Sequence, residues 1–378
     1  MNRRIFLART LGLTLTSLAA GCQRLSRGDL GLAMLAGSVP GQAVQAFQRS
    51  QPAPSGQVSV VAKDSLLELY RLLQDWQTQV AASPTAPKAA PKVAQWVTQA
   101  DTWLAPAIQQ GLIQPISLET LDRWPQIPGA WPALVRRNAQ GFADETGETW
   151  ALPYRWTPLA ILYDHRTLGS EADPMQRWAD LLRPAWQQRL MLPDDERIVI
   201  GLALKAFNAS ANTPDLAAVL DLEDFLTQLH RQVRGYNATH SLKALIMGDA
   251  TAVVGWLDDL LPVAQRYRHL SLMVPAEGTL ASADLWVRPR GAPPLDDLAT
   301  AWLNFCLSAT FVEQLGIFGP GLSPWHWGAA PADLPPAFQP AAGLLPSTTG
   351  LENSEFLLPL PPASQAQYRQ LWQRLRTT

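Results

Sequence analysis

The 378-residue sequence contains few of the side chains on which enzyme and metal sites depend. Its five histidines show no metal-ligand spacing, and neither a Gly-x-Ser-x-Gly elbow nor a phosphate-binding glycine loop is present. Clusters of lysine or arginine that would contact nucleic acid are also missing. These absences argue against a metalloenzyme, a serine hydrolase, a nucleotide-binding enzyme and a nucleic-acid-binding protein. We therefore predict a protein that is not an enzyme and that uses no metal or cofactor.

Only two cysteines are present, Cys22 and Cys306. Cys22 follows a twin-arginine pair, a short apolar run and a group of small residues, an order typical of a lipoprotein signal peptide. The alternative is an uncleaved membrane anchor, but an apolar run of roughly ten residues is too short to span a bilayer. We predict that residues 1–21 are a twin-arginine-like lipoprotein signal peptide and that a lipid on Cys22 anchors the exported chain to a membrane.

Loss of the signal peptide makes the mature chain mildly acidic. Cleavage would remove three of the 30 lysines and arginines and none of the 32 aspartates and glutamates. An acidic chain is compatible with a cationic ligand and argues further against nucleic acid. With Cys22 lipidated, no intrachain disulfide is possible, and the apolar neighbours of Cys306 predict an unreactive core thiol. The length allows two domains that are stabilised by core burial.

Short apolar runs alternate with amphipathic helices along the chain, which is the pattern of an α/β protein. The opening elements are predicted as strand, helix, strand and helix over Leu30–Ala36, Gly41–Gln48, Gln57–Ala62 and Ser65–Val80. This order is typical of the start of a doubly wound domain.

The stretch from Met247 to Pro289 is the part of the chain most informative about function. Its predicted elements are a strand over Thr251–Trp256, a helix that Asp258 or Asp259 caps and that runs to Tyr267, and strands over Leu270–Pro275 and Ala283–Val287. Strand, helix and strand with short connections form a parallel-sheet unit, and ligands bind beyond the carboxyl ends of such strands. We therefore expect Trp256 and Asp284 to face one cleft.

Three segments in this stretch, GDATAVVGW, VPAEGT and ADLWVRP, together with TWALPYRWTPLAILYD before them, carry a family resemblance. In this order they resemble the spermidine/putrescine-binding periplasmic proteins, a branch of the type II solute-binding proteins of ABC importers. The resemblance implies a two-lobed α/β fold of the periplasmic-binding-protein type II class, with mixed sheets flanked by helices and a hinge between the lobes. It assigns residues 22–157 and 284–316 to lobe 1, and residues 158–283 and 317–378 to lobe 2.

The resemblance also implies a function. A monomeric, membrane-anchored periplasmic lipoprotein would trap a small, polyamine-like cationic solute between its lobes and deliver it to the permease subunits of an ABC transporter. Two alternatives remain. One is a non-transporting accessory or sensor lipoprotein on the same fold. The other is an enzyme with Cys306 as its nucleophile, which the apolar surroundings of that thiol disfavour.

The family pattern places ligand contacts at specific positions of this sequence. Trp256 and Asp284 match an aromatic residue and the carboxylate that holds the ligand's amine. Asp195 matches the first of two further acidic residues, with capping of the following helix as its alternative role, whereas Ile198 stands at the second. Ser282 stands where the family has another tryptophan. These departures, and the loss of a stacking tryptophan after the first strand, favour the accessory-protein alternative.

Two aromatic residues complete the predicted contacts. Tyr154 matches the family pattern at the crossover between the lobes, and Trp103 lies at a strand–helix junction where the family places polar contacts. Between Tyr154 and the next aromatic residue, Arg155 replaces an apolar residue. Arg155 is expected to form a salt bridge at the surface of the hinge or, alternatively, to meet an anionic ligand.

Overall fold

The structure, a computed structural model, describes residues 29–52, 56–82, 92–168, 174–237, 240–319, 321–336, 338–339 and 352–377. The predicted signal peptide and Cys22 lie outside these residues. The strands are β1 (Leu30–Leu35), β2 (Val58–Lys63), β3 (Trp96–Ala100), β4 (Ile113–Gln114), β5 (Arg136–Arg137), β6 (Glu148–Thr149), β7 (Ala151–Asp164), β8 (Leu190–Leu192), β9 (Val233–Tyr236), β10 (Ala252–Trp256), β11 (Leu270–Met273), β12 (Leu280–Pro289) and β13 (Glu355–Phe356).

Helices flank the strands along the whole described chain. They are α1 (Gly41–Ser50), α2 (Leu66–Ala82), α3 (Leu104–Gln109), α4 (Ala130–Val135), α5 (Glu196–Ala206), α6 (Leu222–Gln232), α7 (Ser241–Met247), α8 (Leu257–Arg266), α9 (Asp297–Cys306), α10 (Ala309–Phe318) and α11 (Pro362–Thr377). The predicted opening elements are confirmed as β1, α1, β2 and α2, and β1 pairs with β2 in parallel. None of the helices in the described part of the chain has both the length and the apolar character that a membrane crossing requires.

A mixed sheet in the order β2-β1-β3-β12-β7-β10-β8-β9 organises the molecule, with β4 and β13 on β12 and β11 on β7. Strand β7 is 14 residues long, and it joins the two ends of this sheet. Its first half pairs with β12, and its second half pairs with β10 and β11. Strands β7 and β12 are therefore the elements shared by both ends of the sheet, and their antiparallel register sets Arg155 opposite Asp284.

The predicted parallel-sheet unit, a strand on each side of α8, differs from the structure in one respect. Strands β10 and β11 are not neighbours, because each pairs with β7 in the antiparallel sense, β10 along Leu159–Tyr163 and β11 along Ile161–Asp164. The second half of β7 is apolar and almost entirely buried, so it offers both of its edges to partners. A strand so distant in sequence cannot be inferred from the local pattern. Trp256 still ends β10, as predicted.

The predicted caps are partly confirmed. Gly248 ends α7 in the left-handed conformation (φ +80°), which a glycine adopts without steric cost. Asp195 caps α5, where its side chain accepts the backbone N–H groups of Arg197 and Ile198. The predicted cap of α8 by an aspartate is wrong, because Trp256 is the N-cap residue. Asp258 and Asp259 instead lie in the first helical turn, where the helix dipole favours negative charge.

Large aromatic side chains contribute to two hydrophobic clusters in the core. Trp96, Trp286 and Trp302 are completely buried in one hydrophobic cluster, and Trp178 and Trp186 in another.

Cys306 lies in the first of these clusters and is 2% exposed. Burial raises the pKa of its thiol well above the ordinary value. A buried, protonated thiol is a poor nucleophile, which confirms the prediction of an unreactive cysteine and removes the basis of the enzyme alternative.

Candidate ligand-binding cleft

A cavity of ≈ 440 Å³ opens at the carboxyl ends of β8, β9 and β10. This volume lies within the range of about 300–1,000 Å³ that is usual for small-molecule sites. The side chains that bear on its chemistry are those of Asp194, Asp195, Tyr236, Asn237, Trp256 and Asp259. Three of them are carboxylates, and none of the described residues that line the cavity is Lys, Arg or His.

Two of the three carboxylates have protein partners. Asp194 forms an ion pair with Arg376 at 2.5 Å, so its charge is already balanced. One oxygen of Asp195 accepts the backbone N–H groups of Arg197 and Ile198 at 2.8 and 3.1 Å, as the N-cap of α5. A carboxylate oxygen has two lone pairs, and the capping bonds use only one of the two oxygens. The second oxygen of Asp195 accepts no hydrogen bond from the residues that the structure describes, and Asp195 lines the cavity.

Asp259 makes neither a hydrogen bond nor an ion pair with any residue that the structure describes. Its side chain is exposed to the cavity, yet the protein atoms around it displace enough water to raise the pKa of its carboxyl to about 6. The neighbouring charge of Asp258 raises the pKa further, and the guanidinium of Arg155 lowers it. Asp259 therefore carries a negative charge at neutral pH, and no Lys, Arg or His of the described residues forms an ion pair with it.

Aromatic rings lie beside these carboxylates. Trp256 is half-buried at the end of β10, and Tyr236 ends β9 with its hydroxyl 2.8 Å from Nδ1 of His230. The guanidinium of Arg376 packs 4.4 Å from the centroid of the Tyr236 ring. A partly exposed ring such as that of Trp256 next to an unpaired carboxylate is an arrangement that binds an organic cation, because the negative face of the ring adds to the charge of the carboxylate.

Asp284 has an internal partner. Nε and Nη2 of Arg155 lie 2.7 and 2.6 Å from the same carboxylate oxygen, and Nη2 also lies 3.6 Å from Asp258. Burial on its own lowers the pKa of Arg155, but the carboxylates of Asp284 and Asp258 raise it above the ordinary value. The predicted salt bridge of Arg155 is therefore present, although it is buried between strands rather than exposed at the surface.

Ser282 belongs to a second polar group, formed with Asp101. Its hydroxyl and the N–H of Ala283 donate to one oxygen of Asp101, both at 3.1 Å. Burial raises the pKa of Asp101 to about 7, against the lowering effect of these two hydrogen bonds. The other oxygen is buried and has no hydrogen-bond partner among the described residues. Ser282 thus positions a carboxyl group beside β12.

Comparison with known proteins identifies the architecture. The family model of bacterial extracellular solute-binding proteins matches residues 97–339, more than half of the chain. The chain belongs to this family. Its members bind solutes outside the cytoplasm, which confirms both the predicted resemblance and the prediction that the protein is not an enzyme.

Individual relatives agree with this assignment. The spermidine/putrescine-binding periplasmic protein of Escherichia coli (strain K12) is 24% identical over 274 residues, which cover 71% of this chain and 73% of the relative. The putrescine/cadaverine-binding protein of Pseudomonas aeruginosa is 22% identical over 261 residues, 65% of this chain and 72% of that protein. A spermidine/putrescine ABC transporter substrate-binding protein of Streptococcus pneumoniae superposes with a TM-score of 0.72 at 17% identity, covering 93% of this chain and 99% of that one. This superposition confirms the predicted fold class.

Within this solute-binding protein, the predicted contact residues lie in the cavity, on β12 or packed inside the protein away from both. Trp256 and Asp195 line the cavity, and Asp284 and Ser282 lie on β12 with the internal partners described above. The structure does not bring Tyr154 or Trp103 to the cavity.

Both of these aromatic residues pack within the protein. Tyr154 is completely buried, with its hydroxyl donating to Oγ of Ser38 at 2.9 Å. The ring of Trp103 lies 4.5 Å from that of Tyr70.

Sequence analysis did not identify Asp259, Tyr236 or Asn237 as site residues. A signal was available for Asp259, because an acidic residue in the first turn of a helix that follows a strand lies at the carboxyl end of the sheet. The sequence pattern instead predicted Asp259 as a possible cap of α8, which the structure contradicts.

Proposed function

We propose that this protein binds a small cationic solute in the cavity beside β10 and passes it to the permease of an ABC importer. The observation that carries the proposal is the carboxylate of Asp259, which has no partner among the described residues, in a cavity that the half-buried ring of Trp256 lines and that no described Lys, Arg or His lines. The relatives are named for binding spermidine, putrescine or cadaverine. These names support a polyamine-like solute as the first class to test.

The proposed binding step follows from the chemistry of the cavity. An ammonium group would lie against the face of Trp256, worth about 0.5–2 kcal/mol as a cation–π contact. It would donate to Asp259 and to the free oxygen of Asp195, and Asn237 would orient polar groups of the solute. We propose that the predicted lobes close over the solute by bending at β7 and β12, since crossover strands are where hinge rotations are absorbed.

Calorimetric titration of the purified chain with matched panels of alkylammonium ions, carboxylates and neutral sugars tests the proposal. We expect heat of binding from the ammonium compounds alone. Saturable binding of a carboxylate or a sugar, with no response to any ammonium ion, would overturn it.

The affinity for a cation is expected to fall as the pH falls below about 6. A cation prefers the ionised form of Asp259, so protonation of that carboxyl, with a pKa of about 6 in the empty protein, competes with binding. Below this pH the dissociation constant should rise by up to about tenfold per pH unit, and above it the affinity should be constant. The charges that act on Asp259 are those of Asp258 and Arg155, and Asp195 lines the same cavity.

Titrations across a pH series check this prediction, with Asp259→Asn as the variant in which the dependence should disappear. A midpoint near pH 7 that survives in this variant would point to Asp101, whose pKa is about 7, and would contradict the assignment to Asp259.

We also propose that the mature protein is a lipoprotein anchored through Cys22 on the periplasmic side of a bacterial membrane. Cys22→Ser is expected to move the protein from the detergent phase to the aqueous phase on detergent partitioning, because it removes the thiol that would carry the lipid and with it the anchor. Cys306→Ser is the matched control and should leave the partitioning unchanged, since this thiol is buried. Equal partitioning of the Cys22→Ser variant and the unmodified protein would refute the anchor.

One observation favours a second candidate function, a non-transporting accessory or sensor lipoprotein. The carboxylate of Asp284 is already satisfied by Arg155, so part of the cleft holds no free charge for a solute. The same titration identifies an accessory protein of this kind, which would bind no solute from any panel, whereas a sensor would bind its solute without passing it to a permease.

A further inference from the structure

The buried arginine between β7 and β12 is the feature that the proposed function leaves unexplained. Nε of Arg155 donates a hydrogen bond to one oxygen of Asp284, and Nη2 forms an ion pair with the same oxygen. Both side chains are about one-tenth exposed (11% and 9%). A guanidinium enters such an environment only with a carboxylate partner, since burying an unpaired charge is very costly. Arg155 therefore belongs to the permanent structure of the cleft.

The surroundings of Arg155 hold its side chain in this position. A Cβ atom at position 321 would lie 2.3 Å from both Cγ and Cδ of Arg155, so the glycine found there leaves the space that the arginine stem occupies. The neighbouring backbone is fixed as well, because Trp156 and Leu322 exchange N–H to carbonyl hydrogen bonds of 2.8 and 3.1 Å.

Asp258 is also held, with one oxygen accepting the hydroxyl of Thr157 at 3.0 Å and the other 3.6 Å from Arg155. Asp258 precedes Asp259 in the chain, and the charge of Arg155 acts on Asp259. The ion-paired group therefore lies near enough to the cavity for the charge of Arg155 to act on Asp259. The same positive charge would act on a cationic group bound at Asp259.

From this arrangement we infer that Arg155 is a specificity-determining residue that removes the advantage that diamines and polyamines would otherwise have over solutes with a single cationic group. The inference rests on the proposed function and narrows its substrate class. A solute's first ammonium binds at Trp256, Asp195 and Asp259. A second ammonium on the same chain would find Asp284 occupied and would be repelled by the guanidinium, so it adds no affinity.

The test compares two probes with the same carbon chain, n-butylammonium and putrescine, by calorimetric titration of the full chain at neutral pH. We expect the two dissociation constants to agree within about threefold, because only one cationic group finds a carboxylate. Putrescine binding more tightly by about tenfold or more would overturn the inference while leaving the proposed function intact. Binding of neither probe would overturn both.

The variant Arg155→Met tests the role of the residue itself, since methionine keeps an unbranched apolar stem in the space beside Gly321. Removal of the guanidinium leaves Asp284 and Asp258 without their cation. The affinity for putrescine should therefore rise by about tenfold or more relative to the affinity for n-butylammonium. The matched control is Arg166→Met, which removes an exposed arginine paired with Asp164 just beyond β7. It should leave the ratio of the two dissociation constants, n-butylammonium to putrescine, unchanged. An unchanged ratio in Arg155→Met would contradict the inference. If that variant does not fold, the comparison of the two probes on the unmodified chain still decides.

Discussion

Asp259→Asn is expected to weaken the binding of a cationic solute by about 30- to 100-fold, which corresponds to roughly 2–2.7 kcal/mol. The substitution keeps the shape of the side chain and removes the one carboxylate of the cavity that has no partner in the described structure. Losing a charge partner in a closed site costs 2–5 kcal/mol or more, and the lower part of this range applies because water reaches Asp259 in the empty protein. The stability of the empty protein should be unchanged or slightly increased, since burial penalises this charge.

Two further carboxylate-to-amide changes make this prediction specific. Asp194→Asn alters a carboxylate in the same cavity whose charge Arg376 already balances, so it should weaken binding only a few-fold. Asp75→Asn alters an exposed carboxylate on α2, outside the cavity, and should have no effect. Titration calorimetry of the three variants measures the difference directly. Equal losses for Asp259→Asn and Asp194→Asn would show that the cavity acts through its total charge rather than through Asp259.

Local patterns in the sequence predicted the elements that depend on local interactions. Helix α2 follows from apolar side chains at helical spacing, and the end of α7 follows from Gly248, since both depend on residues within one or two turns. Asp195 was placed at the start of α5 for the same reason, because a cap acts on backbone groups two and three residues away. The fold class then follows from the alternation of such elements.

The charge pattern of the cleft depends on contacts that no local pattern contains. Arg155 and Asp284 are 129 positions apart, and only the antiparallel register of β7 and β12 sets them opposite each other. The family resemblance assigned Asp284 to a ligand's amine, but the same resemblance has no cation at position 155. The insertion of β7 between β10 and β11 is long-range in the same way. Partner choice between distant strands is decided by the whole sheet and not by either strand alone.

Asp284→Asn is expected to destabilise the empty protein by about 3 kcal/mol, measured as the free energy of unfolding in urea with tryptophan fluorescence. The amide fills the same volume but leaves the buried guanidinium of Arg155 without its close ionic partner. Breaking a buried pair in this way costs about 3–5 kcal/mol, and the lower end applies because Asp258 remains 3.6 Å away. Asp164→Asn is the matched control, since its partner Arg166 is 64% exposed and exposed pairs contribute little.

A double replacement separates the cost of an unpaired charge from the contribution of the pair itself. Replacing a buried ion pair by apolar residues of similar volume is often neutral or stabilising, because both charges no longer have to be desolvated. Arg155→Met combined with Asp284→Leu should therefore recover most of the stability that Asp284→Asn loses. If the double variant is as unstable as the single one, packing around β7 and β12 depends on the pair's geometry. If Asp284→Asn alone changes nothing, the pair does not stabilise the empty cleft, and the carboxylate of Asp284 would be free to exchange Arg155 for the cation of a solute.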